Sequence, residues 1–205
     1  MAGMSGDVDL ALILAFDGSA SVTFDSFGLI AGGTAAALRD PAVMAGLTGG
    51  ALGASLCCLL LWSAADAQEV LVEWSRIASP ADLEAFARLV QDVPRVIPAG
   101  TTAIGSALAV CEGLLKLAPS RATRQVIDIA GDGRSNAGPA PGPVRDRLVD
   151  AGVVINGLCV LHEEPDLLES YTRDVIGGAG AFALQCQDYA GFEAAMRQKL
   201  RQEIS

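Results

Sequence analysis

Strand-like and helix-like stretches alternate along almost the whole chain, and this alternation restricts the fold more than any other feature. Val8 to Phe16 is an unbroken apolar run ending in Asp17-Gly18-Ser19, the pattern of a parallel strand buried on both faces. Phe24 to Leu38 is helical in character and stops at Asp40-Pro41, since proline disfavours helix at the residue before it. Ala51 to Trp62 reads as a second strand and Glu69 to Trp74 as a shorter one, joined through the polar turn Ala65-Asp66-Ala67. The two predict a hairpin whose second member is an antiparallel edge. Ser79 is the predicted N-cap, and Pro80 the first residue, of a helix running through Val90. A helix over Ala103–Leu117 and a strand over Gln125–Ala130 follow, then a Gly/Pro-rich loop from Gly131 to Pro143 and a helix to Ala151. A strand over Val153–Leu161, a helix over Pro165–Asp174, a strand over Ala181–Cys186 and a helix over Tyr189–Arg201 complete the chain. This order predicts one α/β domain over residues 1–205: a doubly wound, mostly parallel six-stranded sheet with helices on both faces and one short antiparallel edge strand.

Charge and cysteine content exclude several functions. The formal net charge is -10, and nucleic-acid binding needs clustered Lys and Arg. Arg145/Arg147 and Arg197/Lys199/Arg201 are the nearest approach to such clusters, and both fall on helical patterns as expected solvated faces. The most apolar stretch, Ala51 to Trp62, has 12 residues, too few to span a bilayer. Met1 to Asp9 carries no basic segment ahead of the apolar run, so no signal peptide is read there. The expected location is cytoplasmic if the chain is complete, and periplasmic or secreted if a leader has been removed. Cys57, Cys58, Cys111, Cys159 and Cys186 form no CxxC pair and no Cys/His cluster, so they read as buried thiols and not as a zinc site. Cys159 and Cys186 fall near the ends of neighbouring predicted strands, where a cross-link is one expectation.

Ligands of doubly wound sheets sit beyond the carboxyl ends of the strands, at the point where strand order reverses. Three loops meet that description. The first strand ends in Asp17-Gly18-Ser19-Ala20-Ser21, the pattern D-x-S-x-S. Gly100-Thr101-Thr102-Ala103-Ile104-Gly105 precedes a helix, and Gly131-Asp132-Gly133 ends the fourth strand. Together they offer two carboxylates and several hydroxyls, all hard oxygen donors of the kind Mg2+ takes in a near-octahedral shell. With few carboxylates, the ion keeps residual positive charge and attracts one more anionic oxygen.

These motifs resemble the metal ion-dependent adhesion site of the von Willebrand factor A family, and the resemblance runs over nearly the whole chain. It implies that Ser19, Ser21 and Thr102 ligate a divalent cation (Mg2+, or Mn2+ or Ca2+) directly, while Asp17 and Asp132 act directly or through water. Thr102 is preferred to Thr101 because it stands three residues before Gly105, matching the family's Gly-Thr-x-x-Gly loop; Thr101 occupies a position where a second glycine is usual. Val72-Glu73-Trp74-Ser75, Val126-Ile127-Asp128-Ile129, Ile155-Asn156-Gly157-Leu158, Glu163-Glu164-Pro165 and Val175-Ile176-Gly177-Gly178 narrow the resemblance to a bacterial group of A domains, DUF1194. The implied function is binding of a protein partner that presents Asp or Glu to the cation. Gly18, Ala20, Thr101, Arg134, Ser135, Asn136 and His162 would form the rim that sets specificity, with Arg134 either clamping a second acidic group or standing exposed and idle. Oligomeric state is left open.

Other readings of the same residues are weaker. A haloacid dehalogenase-type phosphatase needs a second Asp where this chain has Ser19, so its nucleophile/acid pair is missing. A triad of Ser19, His162 and Asp132 would ignore the metal pattern, and no catalytic residue is assigned. A purely structural cation would call for more carboxylates. Asp128, in mid-strand, is expected to be buried with a partner or to lie on an edge; Trp62 and Trp74 are expected to be packing residues.

Overall fold

The structure is a computed structural model that describes residues 6–162 and 164–204. Its six strands are β1 (Val8–Asp17), β2 (Ser55–Trp62), β3 (Gln68–Ile77), β4 (Ala122–Gly131), β5 (Val153–Val160) and β6 (Ala183–Cys186), in the order β3-β2-β1-β4-β5-β6. All neighbours pair in parallel except β2 and β3, which are antiparallel. The antiparallel edge is as expected, but β3 has 10 residues and is not short. Register shifts around Leu59 keep it paired along all of β2.

Helices cover both faces, as the alternation predicts. On one face lie α1 (Phe24–Leu38), α2 (Pro41–Thr48), α3 (Pro80–Gln91) and α7 (Phe192–Glu203), packed through Phe27, Val43, Phe86 and Met196 onto Leu12, Leu14 and Leu59. On the other lie α4 (Ile104–Lys116), α5 (Pro141–Asp150) and α6 (Leu167–Asp174), packed through Leu108, Leu148 and Tyr171 onto Ala11, Ile13, Ile127 and Ile155. β2 is buried along its whole length and β1 at every residue but Asp9, and burial at roughly 25 cal/mol per Å² of apolar surface is the main driving force for this packing.

Five local expectations need correction. Asp40-Pro41 ends one helix and also begins another, because the Asp40 carboxylate accepts from Ala42 N at 2.9 Å and caps α2. Residues 49–54 therefore lie outside β2, which starts at Ser55. The terminal helix begins as a 3-10 turn over Tyr189–Gly191 before α7. Lys199 is not on a solvated face: it is fully buried, on the same stripe of α7 as Phe192, Met196 and Glu203. Arg145 is likewise turned inward, donating to Ile176 O at 3.0 Å and Arg173 O at 3.2 Å.

Cys159 pairs with Gln185, and Val160 with Cys186. The two cysteines are thus one register step apart, and side chains one step apart point to opposite faces of a sheet. Cys159 packs among the residues of the α4–α6 face and Cys186 among those of the α1–α7 face. The expected cross-link is ruled out by that geometry, and all five cysteines are free.

Candidate cation site at the head of the sheet

Strand order reverses between β1 and β4, and the three loops singled out above converge there. Asp17 is the last residue of β1 and is fully buried. Its Oδ1 accepts from Ser19 N at 2.7 Å, which turns the chain sharply back over the strand end. The turn is held from three sides. Gly18 N donates to Trp62 O at 2.7 Å and Ala20 N to Gly100 O at 2.9 Å. The Arg95 guanidinium donates to Gly18 O at 2.8 Å and to Ser19 O at 3.0 Å.

This frame brings the two serine hydroxyls together beside Asp132. Ser19 Oγ lies 3.2 Å from Ser21 Oγ, and Ser21 Oγ donates to Asp132 Oδ1 at 2.7 Å. The other oxygen of Asp132 accepts from the Tyr189 hydroxyl at 2.7 Å. Thr102 is 5% exposed and is clamped reciprocally by Asn136: Thr102 N donates to Asn136 Oδ1 and Asn136 N to Thr102 O, each at 2.8 Å. Gly105 allows this approach, since a Cβ there would stand 2.1 Å from Pro139 O. Ser19, Ser21, Thr102 and Asp132 line one cavity of about 190 Å³, with Gly133 and Glu164 at its edge.

The electrostatics fit a cation. Burial, reinforced by the nearby charge of Asp132, pushes the Asp17 carboxyl up to about 7. Its Oδ2 is buried with no hydrogen-bond donor. Unpaired buried carboxylate oxygen is costly, and two carboxylates beside three hydroxyls form a donor set that a hard divalent ion completes. Among the described residues, no group of three or more His, Cys, Asp or Glu is placed to hold a metal, so hydroxyls must supply part of any shell here.

The rim differs from expectation. Gly18 is buried under the loop, with Leu61 and Ile97 within 3.4 Å of where a Cβ would stand. Ala20, Arg134 and Asn136 line the cavity, whereas Thr101, Ser135 and His162 do not. His162 is exposed, its ring 6.3 Å from that of Tyr189. Arg134 is exposed but not idle. Its Nε pairs with Glu164 at 3.0 Å, and it also pairs with Asp166. Tyr189, Arg95 and Glu164 were not singled out from sequence; only Glu164 carried a signal there, as part of the Glu163-Glu164-Pro165 stretch. A larger cavity of about 570 Å³ lies at the opposite end of the sheet, among residues 115–125 and 151–152, and no carboxylate, histidine or cysteine lines it.

The strand order and the helices on both faces make a von Willebrand factor A-like α/β fold. The chain belongs to the family described as "Protein of unknown function (DUF1194)", which matches residues 7–205. None of the curated proteins compared with it matches its sequence. Among solved structures it is similar to proximal thread matrix protein 1 from the mussel byssus "with zinc occupied MIDAS motif", at a TM-score of 0.68 and 16% identity over 97% of this chain and 48% of that one. It is also similar to a von Willebrand factor type A protein from Catenulispora acidiphila (TM-score 0.65, 16% identity, 96% of this chain and 43% of that one). The vWF domain of the type V pili tip protein Mfa5 from Porphyromonas gingivalis matches end to end, at a TM-score of 0.64 and 11% identity over 98% of each chain. The chain spans about half the length of the mussel protein. No helix among the described residues is long and apolar enough to cross a membrane.

Proposed function

We propose that the protein is a divalent-cation-dependent binding module for an adhesion or assembly partner. Ser19, Ser21 and Thr102 would hold the cation directly, and Asp17 and Asp132 directly or through water. The observation that carries this reading is a cavity lined by Ser19, Ser21, Thr102 and Asp132, with Asp17 buried close enough to feel the charge of Asp132 and its Oδ2 without a hydrogen-bond partner. Oxygen donors alone favour Mg2+, Mn2+ or Ca2+; the zinc-occupied MIDAS motif named for the mussel protein supports a divalent ion here. A bound ion supplies a positive point to which a partner's Asp or Glu can add an oxygen, a charge-assisted contact strengthened by partial desolvation.

Binding is favoured over hydrolysis because the lone histidine stands outside the cavity, and its ring faces Tyr189 rather than Ser19 or Ser21. The net charge of -10 repels acidic partners at long range, so modest salt should aid encounter. Isothermal titration with Mn2+ is expected to show one site in the native protein and none in Asp17→Ala. A pull-down with and without EDTA tests the partner step: a partner retained equally in EDTA would sink this reading.

A further inference from the structure

We infer that Glu164 is an internal ligand of the cation site, a carboxylate from the chain itself that closes the ion's open position until a partner's carboxylate takes its place. The inference rests on the cation reading above. Glu164 lies on the loop between β5 and α6 and lines the same cavity as Ser19, Ser21, Thr102 and Asp132. Glu164 Oε1 and Thr102 Oγ1 both border the space beside Gly133: a Cβ on that glycine would be 3.6 Å from the first and 3.7 Å from the second. Both residues line the cavity together with Gly133, which adds no side chain to the space they share.

The way Glu164 is held supports exchange. Its Oε1 accepts from Arg134 N at 3.2 Å and its Oε2 pairs with Arg134 Nε at 3.0 Å. Arg134 has a second carboxylate partner in Asp166. Glu164 can therefore leave for a cation without stranding the guanidinium, and can return to it when displaced. The side chain is 35% exposed, so the ion pair with Arg134 is a weak restraint, whereas a carboxylate–cation contact in the cavity is stronger. A site that shields its own ion in this way rejects stray acidic groups and answers only to a partner with further contacts.

The test is Mn2+ titration combined with water proton relaxation on the native protein, Glu164→Gln and Asp17→Ala. The amide is nearly isosteric and keeps a polar group beside Arg134, so the fold is expected to persist, which thermal melting checks. The expected result is that Glu164→Gln binds Mn2+ about 10-fold more weakly, its bound ion carries one more exchangeable water, and added acetate displaces that water at lower concentration than in the native protein. Equal affinity and equal water number in Glu164→Gln and the native protein, with Mn2+ binding lost in Asp17→Ala, would overturn the role of Glu164 and leave the cation site standing. Mn2+ binding that survives in Asp17→Ala would overturn the site itself.

Discussion

The Tyr189 hydroxyl donates to Asp132 Oδ2 at 2.7 Å, tying the 3-10 turn ahead of the last helix to the carboxylate at the head of β4. Ser21 takes the other oxygen of the same carboxylate. Asp132 is thereby fixed in orientation before any ion arrives, and groups that orient a ligand commonly govern affinity nearly as much as the ligand does.

Tyr189→Phe is therefore expected to weaken Mn2+ binding about 10-fold while leaving the fold intact. Calorimetric titration beside a thermal melt separates the two effects. Unchanged affinity would mean that Ser21 alone orients Asp132.

The raised Asp17 carboxyl makes stability depend on pH. It is held at about 7, first by burial and then by the charge of Asp132, against an ordinary value of about 3.9 in an unfolded chain. The folded state therefore binds this proton more tightly. Without a divalent cation, the contribution is fully present below about pH 4, is lost as pH rises toward about 7, and then levels off, on the order of 4 kcal/mol in all. Asp40 and Glu84 work in the opposite sense. Their hydrogen bonds to Arg201 and Arg39 hold each at about 2, so their contribution is lost only in strong acid. Comparison with Asp17→Asn isolates the first effect: in EDTA the variant should melt above the native protein at pH 8, with no such gain at pH 4.

Behind β4 and β5 sits a second charged cluster that plays no part in cation binding. Lys199 Nζ lies 2.6 Å from Asp128 Oδ1 and 3.0 Å from Glu203 Oε2, all of them buried. Asp128 Oδ2 has no hydrogen-bond partner. Asn156 Nδ2 donates to Glu203 Oε1 at 3.1 Å, and Asn156 Oδ1 accepts from Phe182 N at 3.0 Å. Burial pulls the Lys199 ammonium toward neutrality, and the two carboxylates more than reverse it. Lys199→Met would leave buried acids without a cation, and a loss of about 3–5 kcal/mol is expected in urea unfolding. Adding Asp128→Asn should recover part of that loss. If Lys199→Met proves as stable as the native protein, the pair contributes no net stability.

Under non-reducing denaturation the chain should titrate five thiols, before and after mild oxidation of the native protein. Cys159 and Cys186 face opposite sides of the sheet, and a disulfide requires Cα atoms within about 7 Å and converging Cβ atoms. A count of three from monomeric protein would contradict that register.

The architecture, and the loops that form the candidate site, were legible in the chain because they rest on local patterns. An apolar run such as Val8–Phe16 between helical segments reads as a buried strand, and the order of such units leaves few topologies. Asp17, Ser19, Ser21, Thr102 and Asp132 stand out because each lies at a strand end or helix start, where a doubly wound sheet gathers its ligands. What only the tertiary structure decided depends on quantities no local pattern carries. Tyr189 reaches Asp132 across 57 positions, and Arg95 reaches Gly18 across 77. One register step placed Cys159 and Cys186 on opposite faces, since side-chain direction reverses at every residue of a strand. The rotation of α7 about its axis turned Lys199 inward beside Met196 and Leu200 while leaving Arg197 at the surface. In each case the deciding factor was how two separately formed elements meet, and that is fixed by packing of the core rather than by either segment alone.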